Sequence, residues 1–465
     1  MMDYDVLILG GGIVGCAAAY ELSKYNLNIA LIEKDYDIVN EFSINNIAII
    51  YDGSESNDDV MARLENMGIN LIKEHCKKFN IVYNKIGALR ISDDKNRDST
   101  IDNMYKKAKE RNIQGVHIIE DTAIYDIEPN LKIQANKALY SENIAIIPPY
   151  NLATSYAEVA ADNGVNFRLE EEVIDIKAIS KGFKITTNRN KFTCKFVINT
   201  IPNESFNETY EENSEEIKSK KVKYISLNEK LDITMNGLVI KDISKDEFVI
   251  SIPTLSKGNI IAIASDKSLS LEEELRLAQC ICPDIKKELI NNIFSEIYNK
   301  NNMFIDDTKI EDGYIRVVGN NYAKITIAPV IAIEIEEKLK ANMNVTKKRD
   351  YIDKKREVFI FKNMSKEQRN KLIELDKRYG NIICSCNNIS EGEIVDSIRR
   401  PLGARTLEGV KRRTGIGRGS CNGSSCNMKI MKILAREMNK SLLDIVDDSM
   451  ESKILVGRIK EFNEI

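Results

Sequence analysis

Residues 6–33 hold the feature that most constrains the fold of this chain, and they read VLILGGGIVGCAAAYELSKYNLNIALIE. An apolar run leads into Gly10, Gly12 and Gly15 in G-x-G-x-x-G spacing, a helical pattern follows, and a second apolar run ends in Glu33. Two strand patterns around a glycine turn and a helix predict a βαβ unit, the core of a dinucleotide-binding fold.

Each part of this segment has a physical role in binding a dinucleotide. Gly10 permits the tight turn after the strand, Gly12 lets the backbone approach a pyrophosphate, and Gly15 lets the helix pack closely. Glu33 is placed to accept hydrogen bonds from a ribose diol. The motif alone does not separate FAD from NAD. The predicted cofactor contacts of this segment are Gly10, Gly12, Ile13, Gly15, Glu33 and Lys34.

Composition excludes several classes of protein. A chain of 465 residues is too long for one hydrophobic core, and a net charge of −4 gives no basis for nucleic-acid binding. The sequence has no run of 18 apolar residues, and its acidic start, MMDYD, does not suit a signal peptide. Nine cysteines then indicate a reducing compartment, so we expect a cytoplasmic protein in which clustered cysteines bind metal.

The chain up to about residue 343 alternates between helical and strand patterns. Helical patterns cover residues 61–79, 100–111, 151–163 and 271–292. Short strands are predicted between 165 and 199, between 220 and 265, and over 314–318 and 324–328. Pro329 is expected to open a helix that runs to about residue 340, and the highly charged residues 344–356 are expected to form a linker.

Four cysteines near the C-terminus form a second constellation, Cys384-Ser-Cys386 and, 34 residues later, Cys421-Asn-Gly-Ser-Ser-Cys426. Two close pairs of thiols can present a Cys₄ site to a metal. Zinc is the competing interpretation. Paired zinc ligands usually have two to four residues between them, so the Cys-x-Cys pair favours an iron-sulfur centre.

Positive charge accompanies these thiols. Residues 384–432 contain nine Lys or Arg and four Asp or Glu, which is a local charge of +5 in an acidic protein. Cations near an iron-sulfur centre favour its reduction, because the reduced cluster carries more negative charge. Taken singly, however, each of five cations is expected to lie on a solvated face: Arg399, Arg400, Lys411, Arg412 and Arg413.

The motifs together resemble a known family. Residues 383–426, ICSCNNISEGEIVDSIRRPLGARTLEGVKRRTGIGRGSCNGSSC, are similar to the bacterioferritin-associated-ferredoxin-like 2Fe-2S domain that is fused to some FAD-dependent dehydrogenases. The segments GGGIVG, IEPN (127–130), IIPPYNLATSYAEVAADNGVNF (146–167) and VIN (197–199) resemble the anaerobic glycerol-3-phosphate dehydrogenase and 2-hydroxyglutarate dehydrogenase-like flavoproteins. The resemblance implies FAD at the glycine motif and a 2Fe-2S cluster on the four cysteines.

The resemblance also implies a fold class and a division into domains. The expected fold is an α/β FAD-binding Rossmann-like domain with an inserted α+β substrate domain and a small C-terminal helical iron-sulfur domain. The expected ranges are 1–80, 146–205 and 310–343 for the FAD-binding domain, 81–145 and 206–309 for the substrate domain, 344–375 for the linker and 376–450 for the 2Fe-2S-binding domain.

The residues expected near the flavin depart from the family pattern. Where the family reads S-K-A-N-S-A-I-V-H-A-G, residues 43–53 read SINNIAIIYDG, so Ile44 replaces a lysine and Tyr51 replaces a histidine that is a candidate base. Tyr51 is therefore the candidate catalytic residue, although a phenol with a pKa of about 10 is a poor base. The resemblance implies four further cofactor contacts: Asn46, Val173, Lys324 and Thr326.

Three more family features change. Thr200, Ile201 and Pro202 stand where the family tends to have small residues against the cofactor, and Lys324 stands where a glycine lies beside the flavin ring. The family's arginine that holds a substrate carboxylate or phosphate is not apparent in residues 299–303, NKNNM. These changes leave the substrate open.

We expect a flavin-dependent dehydrogenase that oxidises a small hydroxy acid, a glycerol 3-phosphate-like compound or an amino acid. It would pass electrons through the 2Fe-2S cluster to an acceptor protein or a quinone-linked partner subunit. Such a partner could hold this cytoplasmic chain at the membrane surface. The alternative is a non-catalytic electron-transfer or scaffold protein whose dehydrogenase pocket has degenerated, a hypothesis that the altered pocket residues motivate.

Overall fold

The structure is a computed structural model. It describes residues 2–39, 47–201, 219–227, 235–244, 247–255, 258–265, 267, 269–299, 302–417, 421 and 423–457. Asn46, Ile44 and Pro202, which the sequence placed near the cofactor, lie outside these described residues.

Twenty-one strands are defined within the described residues. In chain order they are β1 (Tyr4–Leu9), β2 (Ile29–Ile32), β3 (Ala48–Ile50), β4 (Asn84–Lys85), β5 (Ala88–Ser92), β6 (Val116–Glu120), β7 (Lys137–Ser141), β8 (Ala145–Ile147), β9 (Asn166–Arg168), β10 (Val173–Ile179), β11 (Gly182–Thr187), β12 (Lys191–Asn199), β13 (Ser219–Leu227), β14 (Leu238–Asp242), β15 (Phe248–Pro253), β16 (Asn259–Ser265), β17 (Ile290–Asn299), β18 (Phe304–Asp306), β19 (Tyr314–Val318), β20 (Ile382–Cys384) and β21 (Ile389–Ser390).

Eleven α-helices accompany them in the same described ranges. They are α1 (Ile13–Leu22), α2 (Asp59–Lys78), α3 (Lys95–Glu110), α4 (Thr122–Ile127), α5 (Pro149–Asp162), α6 (Leu271–Gln279), α7 (Lys324–Asn342), α8 (Lys366–Leu375), α9 (Glu391–Arg399), α10 (Leu407–Thr414) and α11 (Asn427–Met438). Over the described residues, no helix combines the length and apolar character that a bilayer span needs.

Strand β1 lies at the centre of the first sheet, whose order is β10-β11-β12-β1-β2-β9, with β19 beside β12 and β18 beside β19. It pairs in parallel with both β2 and β12, so that Val6 lies opposite Ile29 and Phe196. Parallel strands covered on both faces are continuous apolar runs. Residues 6–9 fit this rule, because all four are fully buried.

Helices pack against this sheet and against one another. Helix α1 packs against α5 and α7, and every one of its residues is buried. Helix α2 crosses α7 at Gly68, where a Cβ atom would lie 2.1 Å from the carbonyl oxygen of Thr326. Glycine at this position therefore brings the start of α7 close to α2.

The second sheet has the order β17-β13-β16-β15-β14-β5-β7-β6. Strand β5 pairs in parallel with β14, which joins the strands of residues 88–141 to those of residues 219–299. One face of this sheet adds Val222 and Ile240 to the main core, and the opposite face, with Val239, forms a separate core. The alternation is typical of strands whose two faces meet different layers.

The predicted helix over residues 271–292 is wrong beyond Gln279. Helix α6 ends there, and residues 290–299 form β17, which pairs antiparallel with β13. Pro283 cannot continue a helix, and exposed and half-buried side chains alternate over residues 293–298, as they do in a strand with one packed face. The sequence analysis had continued the helical pattern of α6 past Pro283.

The predicted start of the following helix is also wrong. Helix α7 begins at Lys324 rather than at Pro329, so residues 324–328 are helical and not a strand. Pro329 lies within the first two turns, where its missing N–H removes a single main-chain hydrogen bond. Residues 325–332 are all buried, and their packing holds this apolar helix in place.

The C-terminal module packs α9, α10 and α11 with the β20–β21 ribbon around its own apolar core, which includes Ile394, Val410 and Leu434. Ser390 and Glu393 form a reciprocal capping box at the start of α9. This arrangement fixes the helix directly after the first cysteine pair.

The charged residues 344–356 lie against the first sheet and its helices. The hydroxyl of Tyr20 donates to Asp353 at 2.8 Å, and the guanidinium of Arg356 holds the carboxylate of Asp162 with Nη2–Oδ1 at 2.7 Å. The segment that joins the two cofactor regions is therefore attached along the surface of the dinucleotide domain.

Candidate functional site

The glycine turn has the backbone geometry that a dinucleotide requires. Gly10 has a φ of +97°, a conformation that side chains with a Cβ rarely adopt. A Cβ atom on Gly15 would lie 2.0 Å from the carbonyl oxygen of Gly10, so only glycine lets α1 start this close to β1. Gly12 is the N-cap of α1, and its side-chain-free backbone leaves the helix N-terminus open to a phosphate.

Glu33 is held at the end of β2 by the backbone. Its carboxylate accepts from the N–H of Gly11 at 2.6 Å and from the N–H of Asp35 at 2.9 Å. Burial raises the pKa of Glu33, and the two backbone donors oppose that rise. These bonds fix a carboxylate beside the glycine turn, where a ribose diol can donate to it.

A cavity of about 470 Å³ runs from this turn to the start of α7. It is lined by seven of the predicted cofactor contacts: Gly10, Gly12, Ile13, Glu33, Lys34, Val173 and Lys324. Gly15 supports the turn from behind. Thr326 is buried, and its hydroxyl accepts from the N–H of Tyr51 at 3.2 Å, so it holds the candidate catalytic residue in place.

Tyr51 is 8% exposed and meets Tyr322 edge to face, with ring centroids 4.9 Å apart. Burial raises the pKa of Tyr51 well above 10, and the phenol of Tyr224 and the carboxylate of Glu65 raise it further. Tyr51 therefore stays protonated to a higher pH than a free tyrosine, and a protonated phenol cannot act as a base.

Glu65 is a functional candidate that the sequence analysis missed. It is fully buried on α2, and its Oε1 accepts from the hydroxyl of Tyr322 at 3.2 Å. Its Oε2 is buried and has no hydrogen-bond partner among the residues that the structure describes. Burial raises the pKa of Glu65 to about 8, with Asp52 and Glu55 adding to the rise. The sequence did contain a sign of this role, because Glu65 is a carboxylate on the apolar face of the helical pattern over residues 61–79.

Tyr322 connects this carboxylate to the cavity region. Its hydroxyl reaches Glu65, yet the residue as a whole is 39% exposed. It also lies between Asn320 and Lys324, which both line the cavity. Tyr322 therefore binds a buried acid with its hydroxyl, while part of its surface stays exposed to solvent.

Arg90 lies near Tyr51 but is already engaged by carboxylates. Its Nε and Nη2 bind both oxygens of Asp242 at 2.8 and 2.5 Å, and its Nη1 binds Glu55. A guanidinium recognises a carboxylate or phosphate through this fork of donors. Because the fork is occupied, Arg90 does not replace the substrate-binding arginine of the family.

The four C-terminal thiols lie as two pairs. Cys386 and Cys421 have their Sγ atoms 3.7 Å apart, and the buried Cys384 and Cys426 interact with each other. Among the residues that the structure describes, no three Cys, His, Asp or Glu side chains converge on one point that could hold a metal ion. Two thiolates on each of two irons is the arrangement that a 2Fe-2S centre requires.

The cluster module is fixed to the dinucleotide domain by a buried ion pair, here called the Asp37 clamp. Arg413, at the end of α10, binds both carboxylate oxygens of Asp37, with Nη2–Oδ1 at 2.8 Å. The hydroxyl of Tyr150 donates to the same carboxylate at 3.0 Å, and the guanidinium carbon of Arg413 lies 5.5 Å from the Tyr150 ring centroid. Asp37 follows Asp35, a cavity residue, by two positions.

A second buried pair, the Glu158 clamp, lies on α5. Nε and Nη2 of Arg400 bind the two oxygens of Glu158 at 2.6 and 2.9 Å, and both side chains are 7% exposed. Arg400 also donates to the carbonyl oxygens of Arg356 and Glu357. The two clamps join the cluster module to β2, α5 and the connecting segment.

The expectation that the module's cations form a solvated face is wrong for four of the five. Arg400, Lys411 and Arg412 are buried, and the side chain of Arg413 is 9% exposed. Lys411 pairs with Glu408, and Arg412 with Asp448. Sequence spacing could not show this, because the carboxylates that bury Arg400 and Arg413 lie more than 200 residues away in the chain.

These residues fit both expected cofactors. The glycine turn, the fixed carboxylate of Glu33 and the elongated cavity suit a dinucleotide, and the donor set of four thiols in two pairs suits a 2Fe-2S cluster.

Comparison with known proteins agrees with this geometry. Residues 5–335 match the family of FAD dependent oxidoreductases, and residues 382–436 match the BFD-like [2Fe-2S] binding domain. A glycerol 3-phosphate dehydrogenase of Caloramator mitchellensis is 29% identical over 98% of this chain and 99% of its own length. A mitochondrial L-2-hydroxyglutarate dehydrogenase of Caenorhabditis briggsae is 34% identical over 31% of this chain and 33% of its own length.

Solved structures show the same fold. An L-alpha-glycerophosphate oxidase from Mycoplasma pneumoniae with FAD bound superposes with a TM-score of 0.68 at 20% identity, covering 77% of this chain and 99% of that one. The expected fold class and the two cofactors, FAD and a 2Fe-2S cluster, are confirmed. The chain belongs to the FAD dependent oxidoreductase family and carries a BFD-like [2Fe-2S] binding domain at its C-terminal end.

Proposed function

We propose that this oxidoreductase is a dehydrogenase that oxidises a small hydroxy acid, glycerol 3-phosphate-like compound or amino acid and delivers the electrons singly to an acceptor protein through its own cluster. FAD, when bound, accepts a hydride and can release electrons one at a time, which is the chemistry that an iron-sulfur partner needs. The relatives that support the substrate classes are named as glycerol 3-phosphate and L-2-hydroxyglutarate dehydrogenases.

One observation carries this proposal, namely the attachment of the thiol module to the cavity loop. The Asp37 clamp ties the end of α10 to a loop that lines the dinucleotide cavity, and the second cysteine pair, Cys421 and Cys426, follows α10 in the chain. The clamps hold two redox sites in one fixed unit, as internal electron transfer requires.

The protein also supplies candidates for handling the substrate proton. Oxidation of an alcohol or amine by hydride loss releases a proton from the oxygen or nitrogen, and a base with a pKa near the working pH accepts it best. Glu65, with a pKa raised to about 8, meets this condition through the hydroxyl of Tyr322, whereas the pKa of Tyr51 lies well above 10. We therefore place proton acceptance at Glu65 and a positioning role at Tyr51.

Anaerobic titration of the purified holoprotein tests the function. Glycerol 3-phosphate, L-2-hydroxyglutarate, L-lactate, glycine and L-proline are added separately while flavin absorbance is followed, and the cluster is followed by electron paramagnetic resonance. We expect one class to bleach the flavin and then to generate the signal of the reduced cluster. Flavin bleaching without any cluster signal would refute the electron route, and no bleaching by any compound in a fully loaded protein would favour the non-catalytic alternative.

Substitutions then separate the proton roles. Glu65→Gln should slow flavin reduction by the active substrate and remove the limb of its pH–rate profile near pH 8, because a carboxamide cannot accept a proton. Glu74→Gln, at an exposed position on the same helix, is the matched control and should leave the profile unchanged. An unchanged limb in Glu65→Gln, together with its loss in Tyr51→Phe, would return the role of base to Tyr51.

A further inference from the structure

The two thiol pairs of the cluster site lie in different surroundings. Cys386 is exposed and Cys421 is half-buried, whereas Cys384 and Cys426 are 3% and 1% exposed. The buried pair belongs to the apolar core of the module, beside Ile383 and other aliphatic side chains. The site therefore has an outer pair, Cys386 and Cys421, that faces solvent. Its inner pair, Cys384 and Cys426, faces aliphatic side chains.

The separation of the outer thiols assigns them to one iron. Two thiolates on a tetrahedral metal with bonds of about 2.3 Å lie about 3.8 Å apart. The Sγ atoms of Cys386 and Cys421 are 3.7 Å apart, and each comes from a different half of the motif. The other iron is left to Cys384 and Cys426, which interact with each other across the same two halves.

The outer sulfurs are also the better placed to carry negative charge, because Cys386 is exposed and Cys421 is half-buried. The sulfur of the buried Cys426 lies 3.4 Å from the carbonyl oxygen of Gly423, a group that repels an anion. Exposure to solvent favours reduction of an iron-sulfur centre, whereas burial opposes added charge.

We propose that the iron bound by Cys386 and Cys421 is the reducible iron of the cluster, and that the electron leaves the protein over this exposed pair. One added electron converts this iron from ferric to ferrous, no bond to sulfur breaks, and the iron bound by Cys384 and Cys426 stays ferric. The source of the electron in the proposed function is the reduced flavin, but the assignment concerns the cluster alone and holds for any substrate.

Mössbauer spectroscopy of the full-length, ⁵⁷Fe-enriched holoprotein tests the assignment, with dithionite as the reductant. Each cysteine is replaced by serine in turn, because an oxygen ligand changes the spectrum of the iron that it binds. We expect Cys386→Ser and Cys421→Ser to change the ferrous subspectrum and to lower the midpoint potential. Cys384→Ser and Cys426→Ser should change the ferric subspectrum.

The opposite pattern, with ferrous changes from the inner pair, would overturn the proposal. Each iron has two ligands, so a single serine variant that retains two irons per chain is enough to decide between the patterns. If all four variants lose iron, proton NMR of the reduced wild-type protein decides. The Cβ protons of Cys386 and Cys421 must then show the smaller shifts of a ferrous site, and larger ferric shifts at these residues would refute the assignment.

Discussion

Breaking the Asp37 clamp should loosen the cluster module without unfolding either domain. Arg413→Met removes the cation and leaves the carboxylate of Asp37, which is 2% exposed, with two donors from the described part of the chain, the Tyr150 hydroxyl and the backbone N–H of Ile38. Removing one partner of a buried ion pair costs about 3–5 kcal/mol, because the remaining charge stays buried. At about 1.4 kcal/mol per factor of ten, the lower value corresponds to roughly 100-fold in the equilibrium between the attached and detached module.

Hydrogen exchange measures this equilibrium locally. The amide of Val39 donates to the carbonyl oxygen of Gly11 at 2.9 Å and thereby reports on the loop that carries Asp37. Exchange of peptides spanning residues 33–39 and 405–417 should become about 100-fold faster in Arg413→Met, while peptides of β1 and β12 should stay protected.

Two further variants make the reasoning refutable. Lys354→Met breaks a pair with Glu357 in which both side chains are 73% exposed, and such a pair contributes at most about 1 kcal/mol. Replacing both clamp residues, as Arg413→Met with Asp37→Leu, removes the unpaired charge and should restore most of the protection. Exchange in Arg413→Met that is no faster than in Lys354→Met would show that the clamp does not hold the module.

Three further predictions concern the dinucleotide site and the buried acid. Gly15→Ala should abolish FAD binding, because its Cβ would lie 2.0 Å from the Gly10 carbonyl oxygen. The control is Gly415→Ala, where φ is +78° but the added Cβ meets open space, so the free energy of unfolding should fall by only about 1 kcal/mol. The flavin content of the two purified variants distinguishes these outcomes. Glu33→Leu should weaken FAD binding by about tenfold or more, since hydrogen bonds to a charged acceptor are lost, and fluorescence titration with FAD measures the change. Glu65 has a pKa of about 8 in the folded chain and 4.5 as its ordinary value, so the folded state binds the extra proton between these pH values and stability falls as pH rises from about 4.5 to 8. Thermal melts of Glu65→Gln should lose that part of the decline, and an identical pH dependence in variant and wild type would contradict the assignment.

Local patterns predicted those parts of the fold that depend on neighbouring residues. The βαβ unit of residues 6–33 and the paired cysteines are encoded within short stretches, since a glycine turn needs its strands and a cluster needs its thiols. The structure bears out the strand, turn and helix of the first unit, with Val6 paired to both neighbouring strands.

Long-range contacts decided the parts that were missed. Residues 290–299 form a strand because they pair with the edge of β13. Helix α7 begins at Lys324 because the burial of the residues around Pro329 outweighs the low helix propensity of this proline. Arg400 and Arg413 became buried because carboxylates on α5 and after β2 meet them in space. The roles of the individual site residues stay predictions that the proposed substitutions test, and the domain boundaries stay predictions.

The two clamps have a consequence for how such a protein can be divided. A chain that ended before residue 376 would keep the complete flavin domain but would expose Asp37 and Glu158, two carboxylates shaped to receive guanidinium groups. Its surface would thus keep two carboxylates that are complementary to the missing module. A cluster domain from a related protein could replace that module only if it carries arginines at both matching positions. Domain exchange between relatives is therefore restricted to pairs that preserve both ion pairs.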